Sequence, residues 1–410
     1  MAGASSRPRI AVVSPFLDKR HGTERRAVEW ITQLAGEFEI HVYSQRAEDV
    51  DLSTITWHRI PRLPGPHLFN FLWWVAANRL WRGFDSRFRG LHYNLVFSPG
   101  VNCLDADAVS VHIVFGEYLR QVESKMRFRD NRVSAWPRLA HRKLYYRLLV
   151  SLERRVYSNP QAVLVLIAKK TGEEITRHYG RGGPFPVLYL GIDHATFNPS
   201  RRAELRPQAR ESLGLARERF ALLLIGNDWR NKGVPVLLES LEQLRSLPVD
   251  LLVVSAEDAA ACASLIAERR LEERVRLLPP QRDVELYYAA ADAYVGPSLE
   301  DTFALPPAEA MACGLPVIVS SANGACEIIT GGHDGLVLPD PRDSVALAAM
   351  IRRLVEDRAF GESLGRNAAA TALRFTWERN GRDLAAIFEQ ILARKTGEAS
   401  QTFAPGMQNR

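Results

Sequence analysis

The sequence predicts an α/β fold built from two doubly wound domains, and three observations carry that prediction. At 410 residues the chain is too long for one ordinary core. Short Val/Ile/Leu runs bounded by Gly, Pro or Asp recur along it, as strands buried on both faces do. Amphipathic segments lie between the runs, and this strand–helix alternation occurs twice.

In the first half the strand candidates are residues 9–15 (RIAVVSP), 39–44, 94–98, 108–114, 162–167 and 186–190, with helices such as 23–35 and 143–156 between them. In the second half residues 220–225, 249–254, 274–278, 293–295, 316–320 and 335–338 read the same way. The polar, Pro-bearing segment 197–207 (FNPSRRAELRP) reads as a linker. The expected domains are therefore 1–196 and 197–376, followed by a helix over 377–393 and a polar tail, 395–410, expected to be disordered. No repeat with a period of 20–50 residues and no low-complexity block interrupts the pattern.

Composition excludes several classes. Apolar residues make up 46% and charged residues 24%, with 27 Gly and 23 Pro. These are average globular values and argue against a disordered, collagen-like or coiled-coil chain. Cys103, Cys262, Cys313 and Cys326 show no CxxC spacing and no paired His, which argues against structural zinc and suits a reducing cytoplasm. The N-terminal apolar run is too short for a secretory signal, and the most apolar stretch, 68–77 (LFNFLWWVAA), has about half the length needed to span a bilayer. The expectation is a cytoplasmic chain, at most peripheral at the inner face of a membrane.

Charge is divided unevenly. Residues 1–200 hold 28 Lys and Arg against 18 Asp and Glu, a net +10, whereas residues 201–410 hold 25 against 29, a net −4. The two halves are expected to face different partners.

The densest chemical signal is 297–327, PSLEDTFALPPAEAMACGLPVIVSSANGACE. Asp301 and Glu309 stand eight positions apart, with Pro306 and Pro307 suited to a first helical turn and Gly314 to its end. Eight helical residues rise about 12 Å. One carboxylate pair acting on one bond needs roughly 5–10 Å. The spacing suits two carboxylates gripping opposite ends of an elongated ligand. The amides around Thr302, Phe303, Ala304 and Leu305 would open the helix and receive an anion between them. A solvated first-turn Asp and an ordinary helical Glu would look the same. A second element is 220–233, FALLLIGNDWRNKG, a buried-strand pattern ending in a turn with Arg230 and Lys232. Cations just past the carboxyl end of a strand sit where α/β sheets bind ligands and suit a diphosphate. A solvated turn is the alternative.

Together these segments resemble glycosyltransferase family 4. The resemblance rests on Gly226 to Gly233 (strand, then G-x-x-x-x-x-K-G), PSLEDTFALPPAEAMACGLPVI, and Glu327 after Gly324, and it extends over almost the whole chain. It implies the GT-B fold, retaining chemistry, a UDP- or GDP-sugar donor and no metal or other cofactor. The family's E-x7-E motif falls on Asp301 and Glu309, with Asp in place of the first Glu. By analogy Glu309 holds ribose hydroxyls, Asp301 positions the transferred sugar, and Lys232 contacts the donor phosphates. Asn227 stands where the family usually has Arg, with Arg230 able to supply the missing charge. Asn323-Gly324 replaces a Gly-Gly pair. In the first half Gly22 and Thr23 resemble the family's Gly-rich loop at the domain cleft, and His112 the histidine that touches the transferred sugar, although a lone His after an apolar strand is often structural. Glu153-Arg154, 186–193 and Phe197-Asn198-Pro199 match segments leading to the hinge. The final helix is implied to pack back on the first domain. The branch most resembled makes lipopolysaccharide core and related surface glycans, which implies a glycan or glycolipid acceptor. Asp105-Ala106-Asp107 is formally a DxD pair, a metal-binding motif of a different glycosyltransferase fold.

Residues 120–155 carry 11 Lys and Arg against 3 Asp and Glu, interleaved with aromatics, and 68–89 packs Trp73, Trp74 and Trp81 among Phe and Arg. Both suggest an interfacial segment on an anionic membrane. A buried aromatic cluster with solvated arginines is the bland alternative, and no nucleic-acid motif accompanies the charge. A Rossmann oxidoreductase is disfavoured because neither first loop gives GxGxxG with an acidic residue about 20 positions on. A nucleotide-binding adaptor that has lost catalysis stays open.

Overall fold

The computed structural model describes residues 7–18, 22–122, 134 and 136–397. It divides into two compact units, one of residues 1–190 with 377–410 and one of residues 191–376. Each carries a six-stranded, wholly parallel sheet.

In the first unit the elements run β1 (Arg9–Val13), β2 (Phe16–Leu17), α1 (Gly22–Leu34), β3 (Glu39–Ser44), β4 (Arg46–Ala47) and β5 (Thr56–Arg59). They continue with α2 (His67–Arg89), β6 (Leu95–Pro99), β7 (Ala108–Val111), α3 (Phe115–Val122), α4 (Trp136–Tyr157), β8 (Val163–Leu166) and α5 (Lys169–Tyr179). The sheet order is β5-β3-β1-β6-β7-β8, with β2 and β4 paired separately. The apolar runs that mark β1, β7 and β8 are buried almost throughout, because helices cover both faces.

The second unit holds α6 (Pro199–Ser212), β9 (Phe220–Ile225), α7 (Val234–Gln243), β10 (Val249–Val254), α8 (Ala260–Glu268), β11 (Val275–Leu278) and α9 (Glu285–Ala290). After these come β12 (Ala293–Gly296), α10 (Leu305–Ala312), β13 (Val317–Ser320), a 3₁₀ turn (Gly324–Ile328), β14 (Leu336–Leu338), α11 (Ser344–Glu356) and α12 (Arg358–Ala372). The order β11-β10-β9-β12-β13-β14 repeats the pattern of the first sheet: the third strand at one edge and a reversal of order beside the first. In open α/β sheets ligands bind at that reversal, outside the carboxyl ends of the strands.

The last helix, α13 (Trp377–Thr396), is part of the first unit and lies along α1. Its Gly381 leaves no room for a side chain, since an added Cβ would stand 2.4 Å from Gln33 Cβ. Beside it Asn380 accepts from Trp30 Nε1 and donates to the Tyr189 carbonyl, each at 2.5 Å. Phe388 sits between Phe38 and Phe97 in the core of this face.

Three expectations are corrected. The presumed linker 197–207 is mostly helix: Asn198 caps α6 by accepting from the Arg201 amide, and Pro199 fits the first helical turn where no N–H is needed. The division accordingly falls at 190/191, not 196/197. Residues 186–190 form only an isolated bridge, Leu166 to Val187, rather than a strand. Lys395 and Thr396 belong to α13, and the rest of the tail after Gly397 lies outside the described residues, as do 123–133 and 135 of the basic stretch.

Candidate functional site

The second unit gathers the sequence-predicted residues where its strand order reverses, beyond the carboxyl ends of β9 and β12. The turn after β9 is shaped by its own backbone. Asp228 takes φ 55° and accepts the Lys232 amide at 2.8 Å. Gly233, at φ 82°, lies so close to the loop after β12 that an added Cβ would stand 2.1 Å from the Pro297 carbonyl oxygen. Only glycine permits that contact. Asn231 then ties the two loops together, its carbonyl accepting from the Leu299 amide at 2.7 Å and its Nδ2 donating to the Glu300 carbonyl at 2.8 Å. The result is an ion pair between Lys232 Nζ and Asp301 Oδ2, whose side chains are 20% and 17% exposed.

Asp301 is fixed from its other side. Its amide donates to the Ala322 carbonyl and its own carbonyl accepts from the Gly324 amide at 3.0 Å. Asn323, buried between them, accepts from the Ala325 amide at 3.0 Å and the Ala304 amide at 3.3 Å. Its Nδ2 is enclosed with no hydrogen-bond partner among the described residues. α10 begins here. Its N-cap, Ala304, offers no side-chain acceptor and its amide donates to Asn323, while Pro306 and Pro307 bring no N–H, so in the first turn it is the Leu305 amide that is left for an outside acceptor. Thr302 and Leu305 are half-buried, while Phe303 and Ala304 are buried.

Glu309 lies one helical stretch further along α10 and is buried. The hydroxyl of Tyr288, on α9, donates to its Oε2 at 2.7 Å. Burial, then the Glu309 charge, holds that phenol well above its ordinary pKa. Tyr294 on β12 is likewise raised, first by burial and next by Asp301, and it also feels Glu309. Both carboxylates thus act on one buried phenol. Asn227 is exposed and accepts the Ala256 amide at 2.9 Å, which ties its turn to the loop after β10. Arg230 is exposed and its guanidinium lies over the Trp229 ring at 4.8 Å. Glu327 is half-buried in the 3₁₀ turn.

Residues 219–357 match the family described as Glycosyl transferases group 1. Among solved structures, WaaG, a glycosyltransferase involved in lipopolysaccharide biosynthesis, superposes with a TM-score of 0.74 at 19% identity, over 92% of this chain and 99% of that one. Sucrose-phosphate synthase from Thermosynechococcus elongatus does so with 0.73 at 20% identity, over 95% and 100%. The chain has the GT-B fold. Curated relatives named D-inositol 3-phosphate glycosyltransferase share 29% identity over 257 residues (Salinispora tropica, 59% of this chain) and 34% over 260 residues (Geodermatophilus obscurus, 59% of this chain). The match spans little more than half of each relative's length, 53% and 55%.

In this GT-B chain the remaining predicted residues belong to the first unit and are described within it. Gly22 and Thr23 are the first two residues of α1 rather than part of a loop. His112 follows β7 and lines a cavity of about 410 Å³ with Trp74, Phe71, Tyr145, Tyr157 and Arg62. Its Nδ1 is 2.6 Å from Arg26 Nη1, which can only donate, so the neutral ring carries its proton on Nε2. Burial, then the Arg26 charge, presses the imidazole well below its usual range. Nε2 is enclosed and has no partner among the described residues. The DxD pair is engaged elsewhere: Asp105 accepts two bonds from Arg82, at 2.7 and 3.2 Å. Asp107 accepts the Val96 amide at 2.8 Å and pairs with Lys395 at 2.7 Å.

Sequence reasoning gives no role to Tyr288, Asn231 or Asn323. Tyr288 stands 21 positions from the Glu309 it holds, and no spacing rule connects the two. Asn323 is legible as a departure from Gly-Gly. The departure itself is the signal, because an Asn at a loop-to-helix junction is a capping residue.

Proposed function

We propose that this chain is a retaining, metal-independent glycosyltransferase that moves a sugar from a UDP- or GDP-sugar to a glycan or glycolipid acceptor of the cell envelope. The observation that carries this reading is the Lys232–Asp301 pair at the strand-order reversal, beside the uncapped start of α10. A carboxylate, a cation and a helix start within one rigid pair of loops suit a sugar, its diphosphate and the charge that develops between them. Anabaena HepE, of the same fold, is known in complex with UDP-glucose, which supports the donor class.

In this mechanism the donor diphosphate accepts from Lys232 and from the Leu305 amide at the start of α10, while Glu309, held by Tyr288, receives the ribose hydroxyls. Asp301 then turns from Lys232 toward hydroxyls of the transferred sugar. The bond from the anomeric carbon to the β-phosphate oxygen breaks, an acceptor hydroxyl bonds to the same face, and its proton passes to the departing phosphate. Lys232 is worth most as that phosphate gains negative charge. Arg230 is a second cation near the same turn, and Asn227, Thr23, Gly22 and Glu327 keep the donor-binding roles that the family resemblance implies. This reading invokes no metal, because Lys232 and the Leu305 amide would offset the charge on the departing phosphate.

On the acceptor side, the cavity around His112 combines aromatic walls with Arg62 and a free Nε2–H, a lining that suits sugar rings bearing hydroxyls or phosphate. The curated relatives are named for a phosphorylated polyol acceptor, which agrees with that chemistry. On α2 the side chains of Phe69, Leu72, Leu80, Phe84 and Phe88 are about half or more exposed, with Arg79 and Arg87 among them. That face supports docking on an anionic membrane where a glycolipid acceptor resides.

A donor-consumption assay across UDP- and GDP-sugars tests the proposal. One donor is expected to be hydrolysed slowly alone and faster with acceptor lipid extract, and Lys232→Ala to abolish both. Tight nucleotide binding with no sugar release from any donor would instead identify an adaptor.

A further inference from the structure

The second unit has another cavity, of about 340 Å³, at the opposite end of its sheet from Lys232. It is lined where the strands begin: by Phe220 at the start of β9, Asp292 just before β12 and Pro316 just before β13. Five arginines face it, Arg202 and Arg206 from α6, Arg217 and Arg219 from the turn into β9, and Arg358 from the first residue of α12.

Two of the five pair with a carboxylate. Arg219 pairs with Asp250, and Arg206, with Arg210, pairs with Asp292. The other carboxylate at the rim, Glu362, is met by Arg366 at 3.9 Å. Arg202, Arg217 and Arg358 have no carboxylate within ion-pair distance among the described residues. Of these three, Arg202 is the most enclosed. One of its terminal nitrogens donates to the Ala291 carbonyl at 2.9 Å, while its Nε is enclosed and has no partner among the described residues. Burial, then the neighbouring Arg206 charge, brings its pKa down to about 10. Arg358 is also placed against its interest, since a cation at the start of a helix opposes the helix dipole. Of the three only Arg202 is enclosed, and the one carboxylate that acts on it, Asp292, already pairs with Arg206 and Arg210. Such a cluster is therefore understandable as half of a pair, the other half being an anion.

We propose that this cavity is a binding site for a small phosphate ester, separate from the donor site. Guanidinium forks match phosphate oxygens in bidentate geometry, and a phosphomonoester of charge about −1.5 to −2 offsets most of the three unmatched cations. The volume admits a phosphorylated sugar or a lipid headgroup and is within the range of small-molecule sites, roughly 300–1,000 Å³.

The test is calorimetry with inorganic pyrophosphate and with glucose 6-phosphate on full-length Lys232→Ala protein, in which the donor site is weakened. The comparison is the same protein carrying Arg217→Gln and Arg358→Gln, both exposed positions whose loss leaves the fold intact. At least one probe should bind, with affinity reduced tenfold or more in the comparison protein. Arms with phosphatidylcholine vesicles, plain or containing phosphatidic acid, separate the sources. Arginine-dependent binding to the acidic vesicles alone would assign the site to a lipid headgroup. Equal affinity for every probe with and without the two arginines, or no binding to any, would overturn the proposal.

Discussion

Lys232 and Asp301, 69 residues apart in sequence, meet as an ion pair from the loops that follow two adjacent strands. The carboxylate therefore occupies the cation that the proposed reaction needs for phosphate. Removing the carboxylate frees Lys232 for the ground-state diphosphate but deletes the group that positions the sugar. Asp301→Asn is expected to bind the product nucleotide about 3- to 10-fold more tightly while kcat falls by about 100-fold. Lys232→Ala should weaken binding and turnover together. Calorimetry with UDP and GDP, paired with turnover, reads this split. Weaker nucleotide binding by Asp301→Asn would mean the two groups do not compete.

The buried hydrogen bond from Tyr288 to Glu309 orients a carboxylate that can accept from a ribose only with its remaining lone pairs. Tyr288→Phe should weaken nucleotide binding about fivefold, close to 1 kcal/mol, and Glu309→Ala by about tenfold or more. In the Glu309→Ala protein the Tyr288→Phe change should add almost nothing. Additive losses would show that Tyr288 acts on the nucleotide without Glu309.

How much of this is legible in the sequence depends on range. The strands can be read because runs such as FALLLI and VDLLVV are buried on both faces and so carry no polar alternation. Asp301, Glu309 and Lys232 can be read because each sits at a chain position that local geometry dictates, past a strand or on a helix start. The boundary at 190/191 cannot, because α6 is rich in Arg and Pro and its burial depends on carbonyls of residues 289–291, about 85 positions away. The contacts of Tyr288 and Asn323 are hidden for the same reason. Gly22 reads as loop because glycine favours turns, whereas here it is the first residue of a helix.

The exposed α2 face gives a prediction about membranes. Phe84 and Phe88 are 51% and 72% exposed, and they contact each other at the end of the helix. Changing both to Ser should leave thermal stability within about 0.5 kcal/mol, as surface substitutions usually do. Co-sedimentation with anionic vesicles at low salt should fall several-fold, and raising the salt should weaken the wild type further. Unchanged sedimentation of the variant would remove α2 from the interface.

Glu153 gives a prediction about pH. Its carboxylate accepts the Phe115 amide at 2.9 Å and the Gly116 amide at 3.2 Å, together with the Tyr179 hydroxyl, and so closes the start of α3 just beyond His112. Burial outweighs those three donors and pushes its pKa up from 4.5 to about 7. The folded protein therefore binds a proton at Glu153 over a range where the unfolded chain has already released it. Stability falls as pH rises when the native state holds the extra proton, so the loss begins near pH 4.5 and runs up through pH 7. The full difference is about 3 kcal/mol, because each tenfold change in proton affinity is worth about 1.4 kcal/mol. Glu153→Gln carries no titrating proton. The stability of wild type minus that of Glu153→Gln, from urea unfolding followed by tryptophan fluorescence, should drop by up to that amount between about pH 5 and pH 8. A difference that stays flat over this range would mean the three donors hold Glu153 ionised and that burial does not decide its charge.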